Sequence, residues 1–130
     1  MPRFSRTSMS RLETCDERLQ ALFARVIEGW DCTILEGHRD KTAQNAAFEE
    51  GNSKLRWPDG KHNRLPSIAV DVAPYPIDWG NTKRFYAFAG YVIGIAEEMD
   101  IPIRWGGDWD GDRDLDDQSF NDLVHFEIDE

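Results

Sequence analysis

Cysteine is nearly absent from this chain: Cys15 and Cys32 are the only two among 130 residues. They lack C-x-x-C spacing, so neither a disulfide framework nor a thiolate metal site is expected, and both read as semi-buried thiols. Histidine is almost as scarce, with three copies. Basic charge is in deficit, 15 Lys and Arg against 25 Asp and Glu, for a formal net charge of −10. Nucleic acid and anionic membranes both demand a basic face, so neither is an expected partner. No apolar run approaches the roughly 20 residues of a membrane span, and no stable membrane insertion is expected. The basic opening Met1-Pro2-Arg3-Phe4-Ser5-Arg6 is not followed by a continuous apolar segment. No secretory signal is therefore read, and the product is expected to be made in the cytoplasm.

What is present suits one globular domain over residues 1–130, with 40% hydrophobic residues and five tryptophans. Residues 1–8 read as a short arm. Ser10-Arg11-Leu12-Glu13 has the form of a capping box and predicts one helix running to Gly29, with Leu12, Cys15, Leu19, Leu22, Phe23, Val26 and Ile27 on its apolar face. A short strand is expected at Cys32–Leu35. A second helix is expected from Thr42 to Gly51, with Ala43, Ala46, Ala47 and Phe48 inward. A polar, basic, ordered loop spans Asn52 to Pro66. A third helix, about Asn81 to Met99, should turn Phe85, Phe88, Ala89, Val92, Ile93 and Ala96 to the core. Short strands at Ser67–Ala73, Ile103–Trp105 and Leu123–Ile128 complete an α+β fold, a mainly antiparallel sheet flanked by helices.

Two of these strands carry the chemistry. In Ser67–Ala73, period-two alternation puts Ile68, Val70 and Val72 on one face and Asp71, between Ala69 and Ala73, on the other. In the last strand Val124, Phe126 and Ile128 face the core, and Leu123, His125 and Glu127 face away. If these strands are neighbours, Asp71 and His125 converge, because directly opposed residues have Cβ atoms about 4.5–5.5 Å apart. The small alanines leave space beside Asp71, and His62 in the preceding loop can close the site from the side. Two imidazoles and carboxylates are the parts of a zinc hydrolase, and a His-His-Asp set leaves a fourth tetrahedral position for water. The spacing alone is weakly specific, and exposed polar residues at strand ends are the plain alternative. Asp122 and His125, three apart, reach one site only if Asp122 lies in the turn before the strand, a place suited to the turn formers Ser119 and Asn121.

The runs Gly60-Lys61-His62-Asn63, Pro66-Ser67-Ile68-Ala69-Val70-Asp71-Val72-Ala73-Pro74, Trp105-Gly106-Gly107-Asp108-Trp109 and Asp122-Leu123-Val124-His125-Phe126-Glu127 resemble the M15 family of zinc peptidases. That family includes D-Ala-D-Ala carboxypeptidases and dipeptidases, and phage endolysins that cut L-alanyl-D-glutamate bonds. The likeness covers roughly residues 33 to 128 and is greatest to the short phage members. It implies the zinc DD-peptidase fold and one zinc ion held by His62, Asp71 and His125. By the same resemblance Asp122 is the general base, Arg39 steadies the substrate carbonyl, and Gln44 follows in the family's Arg-then-Gln arrangement. Lys61 departs from the common Ser-x-His form, and the segment from His62 to Asp71 is longer than in many members. A surface ion pair with Asp40 or Glu36 is the alternative for Arg39. His38, a conceivable fourth ligand, reads better as a packed neighbour of the site.

The implied function is hydrolysis of peptidoglycan stem peptides by a monomeric phage or prophage endolysin, acting on the wall after a separate membrane lesion releases it. The alternatives are a bacterial D-Ala-D-Ala carboxypeptidase or dipeptidase, and an inactive metal-binding module that recognises the wall. Trp105 and Gln44 are candidate substrate-binding residues. Six aspartates between Asp108 and Asp117 invite a calcium site, but no register meets the EF-hand pattern, and a solvated acidic loop is the alternative.

Overall fold

In chain order the elements are α1 (Arg6–Leu12), α2 (Glu17–Gly29), β1 (Cys32–Glu36), α3 (Lys41–Glu49), a 3-10 turn (Lys61–Asn63), β2 (Ala69–Pro74), α4 (Thr82–Glu98), β3 (Ile103–Trp105) and β4 (His125–Ile128). The computed structural model describes residues 2–113 and 122–130. The strands form one antiparallel sheet, as expected, and their order is β1-β2-β4-β3.

One face of the sheet is the core. Ile34, Val70, Val72, Phe126 and Ile128 are fully buried there, beneath α2 and α4. Phe126 is the centre of this contact. Its ring meets Phe23 of α2 edge-on at 5.6 Å and Phe88 of α4 at 6.3 Å. Edge-to-face pairs of this kind add to the burial of their area. The opposite face carries the polar side chains, in cross-strand rows. Glu36, Asp71 and His125 form one row, and Ala69, Glu127 and Arg104 the next. A bulge between Ile34 and Glu36 shifts the register, so the extra residue, Leu35, lets Glu36 stand opposite Asp71.

Four expectations are corrected. The N-terminal arm is tied down: Ser5 caps α1, and the buried Ser8 hydroxyl accepts from the Ile34 amide at 3.0 Å. The long first helix is two helices, and Ser10 lies inside α1 instead of capping it. The break falls at residues 14–16 because Ser67 takes their backbone bonds: its amide donates to the Thr14 carbonyl and its carbonyl accepts from Asp16. Asp16 then caps α2. In α3 the buried residue is Gln44, whereas Ala43 and Ala46 are exposed and Ala47 is half-buried. In α4, Ile95 is buried and Ile93 only partly so. Cys15 and Cys32 are free and buried, and burial pushes both thiols up to about 12. No helix among the described residues is long and apolar enough to cross a membrane.

Candidate metal centre and active-site cleft

The β2–β4 register sets Asp71 directly opposite His125, and the 3-10 turn brings His62 in from the side. His62 Nε2 lies 3.2 Å from Asp71 Oδ1 and 3.3 Å from His125 Nδ1, and His125 Nδ1 is 3.3 Å from Asp71 Oδ1. Three donor atoms thus mark a nearly equilateral triangle. Tetrahedral ligands on bonds of about 2.0–2.1 Å stand roughly 3.3 Å apart, so the triangle fits one tetrahedral divalent ion.

The neighbours fix which nitrogen each ring offers. His62 Nδ1 is 2.7 Å from the Gly37 carbonyl, which can only accept, so Nδ1 holds the proton and Nε2 presents its lone pair. His125 Nε2 is 2.7 Å from Glu127 Oε1, which leaves Nδ1 for the centre. Glu127 is held in turn by Lys61 at 2.7 Å and Arg104 at 2.8 Å. Lys61, the departure from the family form, thereby anchors the carboxylate that orients a candidate ligand. Burial alone would raise the Asp71 carboxyl, yet with no ion between them the His62 and His125 rings hold it well below the usual range by charge and hydrogen bonding. For Glu127, hydrogen bonds from His125, Lys61 and Arg104 outweigh burial and bring it down to about 2.

Asp122 sits just before the turn that opens β4, with its carbonyl accepting from the His125 amide at 3.1 Å. Gly106 clamps it there, accepting from the Asp122 amide at 2.9 Å. A Cβ on Gly106 would stand 2.1 Å from the Asp122 carbonyl oxygen, so only glycine allows this approach. Burial and the Asp71 charge raise the Asp122 carboxyl, against the pull of His125, His62 and Arg39. A carboxylate raised in this way is a better proton acceptor than an ordinary aspartate.

Arg39 is not a surface residue, although it does pair with Glu36. Its Nη1 donates to Gln44 Oε1 at 2.9 Å, and its Nη2 lies 3.7 Å from Asp71 Oδ2. Gln44 is 1% exposed. It also accepts from Asn63 at 3.0 Å and donates to Ser53 at 2.9 Å. Gln44 is thus enclosed in a hydrogen-bond network behind Arg39. Asn63 accepts from the Gly60 amide, and a Cβ on Gly60 would crowd Asn63 Oδ1 at 2.8 Å. This is why the loop carries glycine there.

The triangle opens on a cleft of about 510 Å³ bordered by Arg39, His62, Trp109, Asp122 and His125. A second cleft, about 750 Å³, meets it at Arg39, Asn52 and Asp122. Trp105 lies elsewhere: it is 4% exposed, packs edge-on to Tyr86, and donates its indole N–H to the Leu123 carbonyl. Trp109 is the tryptophan at the cleft, its ring 5.2 Å from that of His125. His38 bonds through Nδ1 to the Arg64 carbonyl and takes no part in the triangle.

The profile of the phage L-alanyl-D-glutamate peptidases matches residues 1–128. The chain belongs to that family. It is 32% identical over 123 residues to the L-alanyl-D-glutamate peptidase of Escherichia phage T5, covering 89% of this chain and 88% of that relative. Its fold matches the crystal structure of the Serratia marcescens L-Ala D-Glu endopeptidase ChiX with a TM-score of 0.77, at 23% identity, over 97% of this chain and 89% of the other.

For this family member, the roles of several residues around the site escape a reading by motif. Glu127 and Arg104 share the second cross-strand row, which only the register of β3 and β4 reveals. The period-two spacing of His125 and Glu127 was the available signal, since residues two apart share a face. Asn63 directly follows His62 and Glu36 lies three residues before Arg39, but neither position signals the bonds it makes to Gln44 and Arg39. Asp108, Asp110 and Asp112 bring carboxylate oxygens within 4.8 Å of one another. The remainder of the expected calcium loop, residues 114–117, and the turn formers Ser119 and Asn121 lie outside the described residues.

Proposed function

We propose that the chain is a zinc peptidase that hydrolyses the L-alanyl–D-glutamate bond of peptidoglycan stem peptides, as a phage or prophage endolysin. The observation that carries this reading is the triangle of His62 Nε2, Asp71 Oδ1 and His125 Nδ1, in a chain of this family. A zinc ion held there would supply Lewis acidity, bringing a water to a pKa of about 7 and polarising the amide carbonyl. Asp122 accepts the proton of the attacking water on a carboxylate oxygen and returns it to the departing D-glutamate nitrogen. The Arg39 guanidinium offsets the negative charge that grows on the carbonyl oxygen. Its hydrogen bond to Gln44 and pairing with Glu36 hold it at the junction of the two clefts. Gln44 acts through Arg39 in this scheme, and Trp109 replaces Trp105 at the substrate face.

Clefts on both sides of Asp122 favour an endopeptidase over a carboxypeptidase, because the substrate chain continues in both directions from the scissile bond. The test is mass analysis of muropeptides after digestion with purified protein, with and without a chelator and zinc. New amino termini on D-glutamate, lost with chelator and restored by zinc, are the expected products. Release of terminal D-alanine instead would overturn the bond assignment, and chelator-resistant cleavage the metal assignment.

A further inference from the structure

The two clefts that meet at Arg39 and Asp122 differ in charge and in surface. The first balances four cations, Arg39, Lys54, Lys61 and Arg104, against four carboxylates. The second sets Glu36, Glu50 and Asp122 against Arg39 as the single cation among its described lining residues, with Asp71 committed to the metal triangle. An anionic group is disfavoured in the second cleft, whereas neutral hydroxyls donate readily to carboxylates. Its wall also carries Trp79, 65% exposed. The indole stacks nearly parallel, at 15° and 5.6 Å, on Phe85. Phe85 is itself 3% exposed, so the tryptophan is an aromatic plate mounted on the core. The small side chains of Ala43, Ala46 and Ala47 from α3 leave the floor of this cleft open.

A flat aromatic face beside hydrogen-bonding carboxylates matches a neutral sugar ring, with its C–H face on the indole and its hydroxyls toward the acids. The proposed substrate brings such a ring near. The alanine of a stem peptide is joined through its nitrogen to the lactyl group of a muramyl sugar, and that amide consumes the lactyl carboxyl, so the sugar is neutral. At about 3.3–3.6 Å per extended residue, the sugar begins roughly 7 Å from the scissile carbonyl. The D-glutamyl side bears the free carboxylates and suits the cation-balanced cleft.

Resting on the peptidase reading above, we infer that Trp79 is a glycan-binding residue. The cleft walled by Trp79 and the α3 alanines takes the muramyl end of the substrate, and the Lys61–Arg104 cleft takes the D-glutamyl end.

The experiment compares two soluble substrates of identical peptide sequence, one carrying its disaccharide and one without sugar. Trp79→Ala should raise KM for the glycosylated substrate roughly three- to tenfold, the range of one aromatic contact. It should leave kcat and the sugar-free substrate nearly unchanged, with the thermal midpoint lowered only by the loss of the Trp79–Phe85 stack. Trp79→Phe should recover most of the loss. Calorimetric binding of both compounds to Asp122→Asn protein, with and without Trp79→Ala, reads the same discrimination without turnover. Equal effects on the two substrates, or no effect on either, overturn the glycan site. If the parent cleaves neither substrate, the peptidase reading fails; glycan binding that is insensitive to Trp79→Ala in the calorimeter then overturns this inference separately.

Discussion

Asp71 and His125 stand directly opposite each other on adjacent antiparallel strands, with His125 Nδ1 3.3 Å from Asp71 Oδ1. Fifty-four residues of chain separate them, yet the sheet register joins them before any ion does. The centre is therefore preorganised on strands, with only His62 supplied by a turn. Strand-borne ligands hold their geometry better than loop-borne ones.

Asp122→Asn should keep the metal and the fold but lose hydrolysis. Asn is close in shape, yet its amide cannot take a proton from water as a carboxylate does. The expected loss is about 10²–10⁴-fold in kcat, the usual worth of general-base assistance. Metal content, thermal midpoint and turnover on purified peptidoglycan check it together; parental turnover with metal in place would remove Asp122 from the role. His125→Ala, in contrast, should lose metal and stability at once.

Glu127→Gln tests the orientation of His125. The carboxylate bonds His125 Nε2 at 2.7 Å and is itself gripped by Lys61 and Arg104. Changing it should weaken metal affinity about 10- to 100-fold, as for other carboxylates behind ligand histidines. Competition against a chromogenic chelator measures this directly, and unchanged affinity would show that Glu127 serves only the fold.

Gln44→Leu removes the acceptor shared by Arg39 and Asn63. A buried Asn63 N–H and a part-buried Arg39 N–H lose this acceptor, at about 1–3 kcal/mol for a buried group left unrepaired. The variant should be less stable and lose kcat more than KM, because Arg39 keeps its pairing with Glu36 but loses the bond that fixes its Nη1. A change confined to KM would instead make Gln44 a substrate contact.

Chelator-treated protein should be most thermostable between about pH 4.5 and 6.5. Burial opposes protonation of His125, but hydrogen bonds to Asp71 and Glu127 raise it from 6.5 to about 9. Its contribution is complete below pH 6.5 and is lost as pH rises through 9. Glu127, lowered from 4.5 to about 2, contributes above pH 4.5 and loses that contribution as pH falls through 2. Metal takes the place of the proton on His125, so the stabilisation on adding zinc should grow on the alkaline side. Thermal midpoints across this range, with and without zinc, provide the check; a midpoint of stripped protein that climbs between pH 6.5 and 9 would contradict the His125 assignment.

Local pattern determined much of this protein. Period-two alternation in Ser67–Ala73 and in the final strand marks Asp71 and His125 as polar-face residues, because a pleated strand alternates its side chains whatever it packs against. The scarcity of histidine narrowed the candidate ligands, and four motifs in order pointed to the family. Only the tertiary structure decided what depended on partners distant in sequence. Ser67 divides the first helix by taking backbone bonds from Thr14 and Asp16, an interaction that helical periodicity cannot register. The alanines of α3 read as a core face, since small apolar side chains serve equally well under a sheet or along an open cleft. Gln44 was buried instead because Arg39, Asn63 and Ser53 satisfy its amide. Trp105 and Trp109, four residues apart, share one composition signal, yet β3 packs the first beneath Tyr86 while the second stands beside His125. Burial and hydrogen-bond satisfaction are properties of the assembled fold, and they decide which of several similar residues reaches the site.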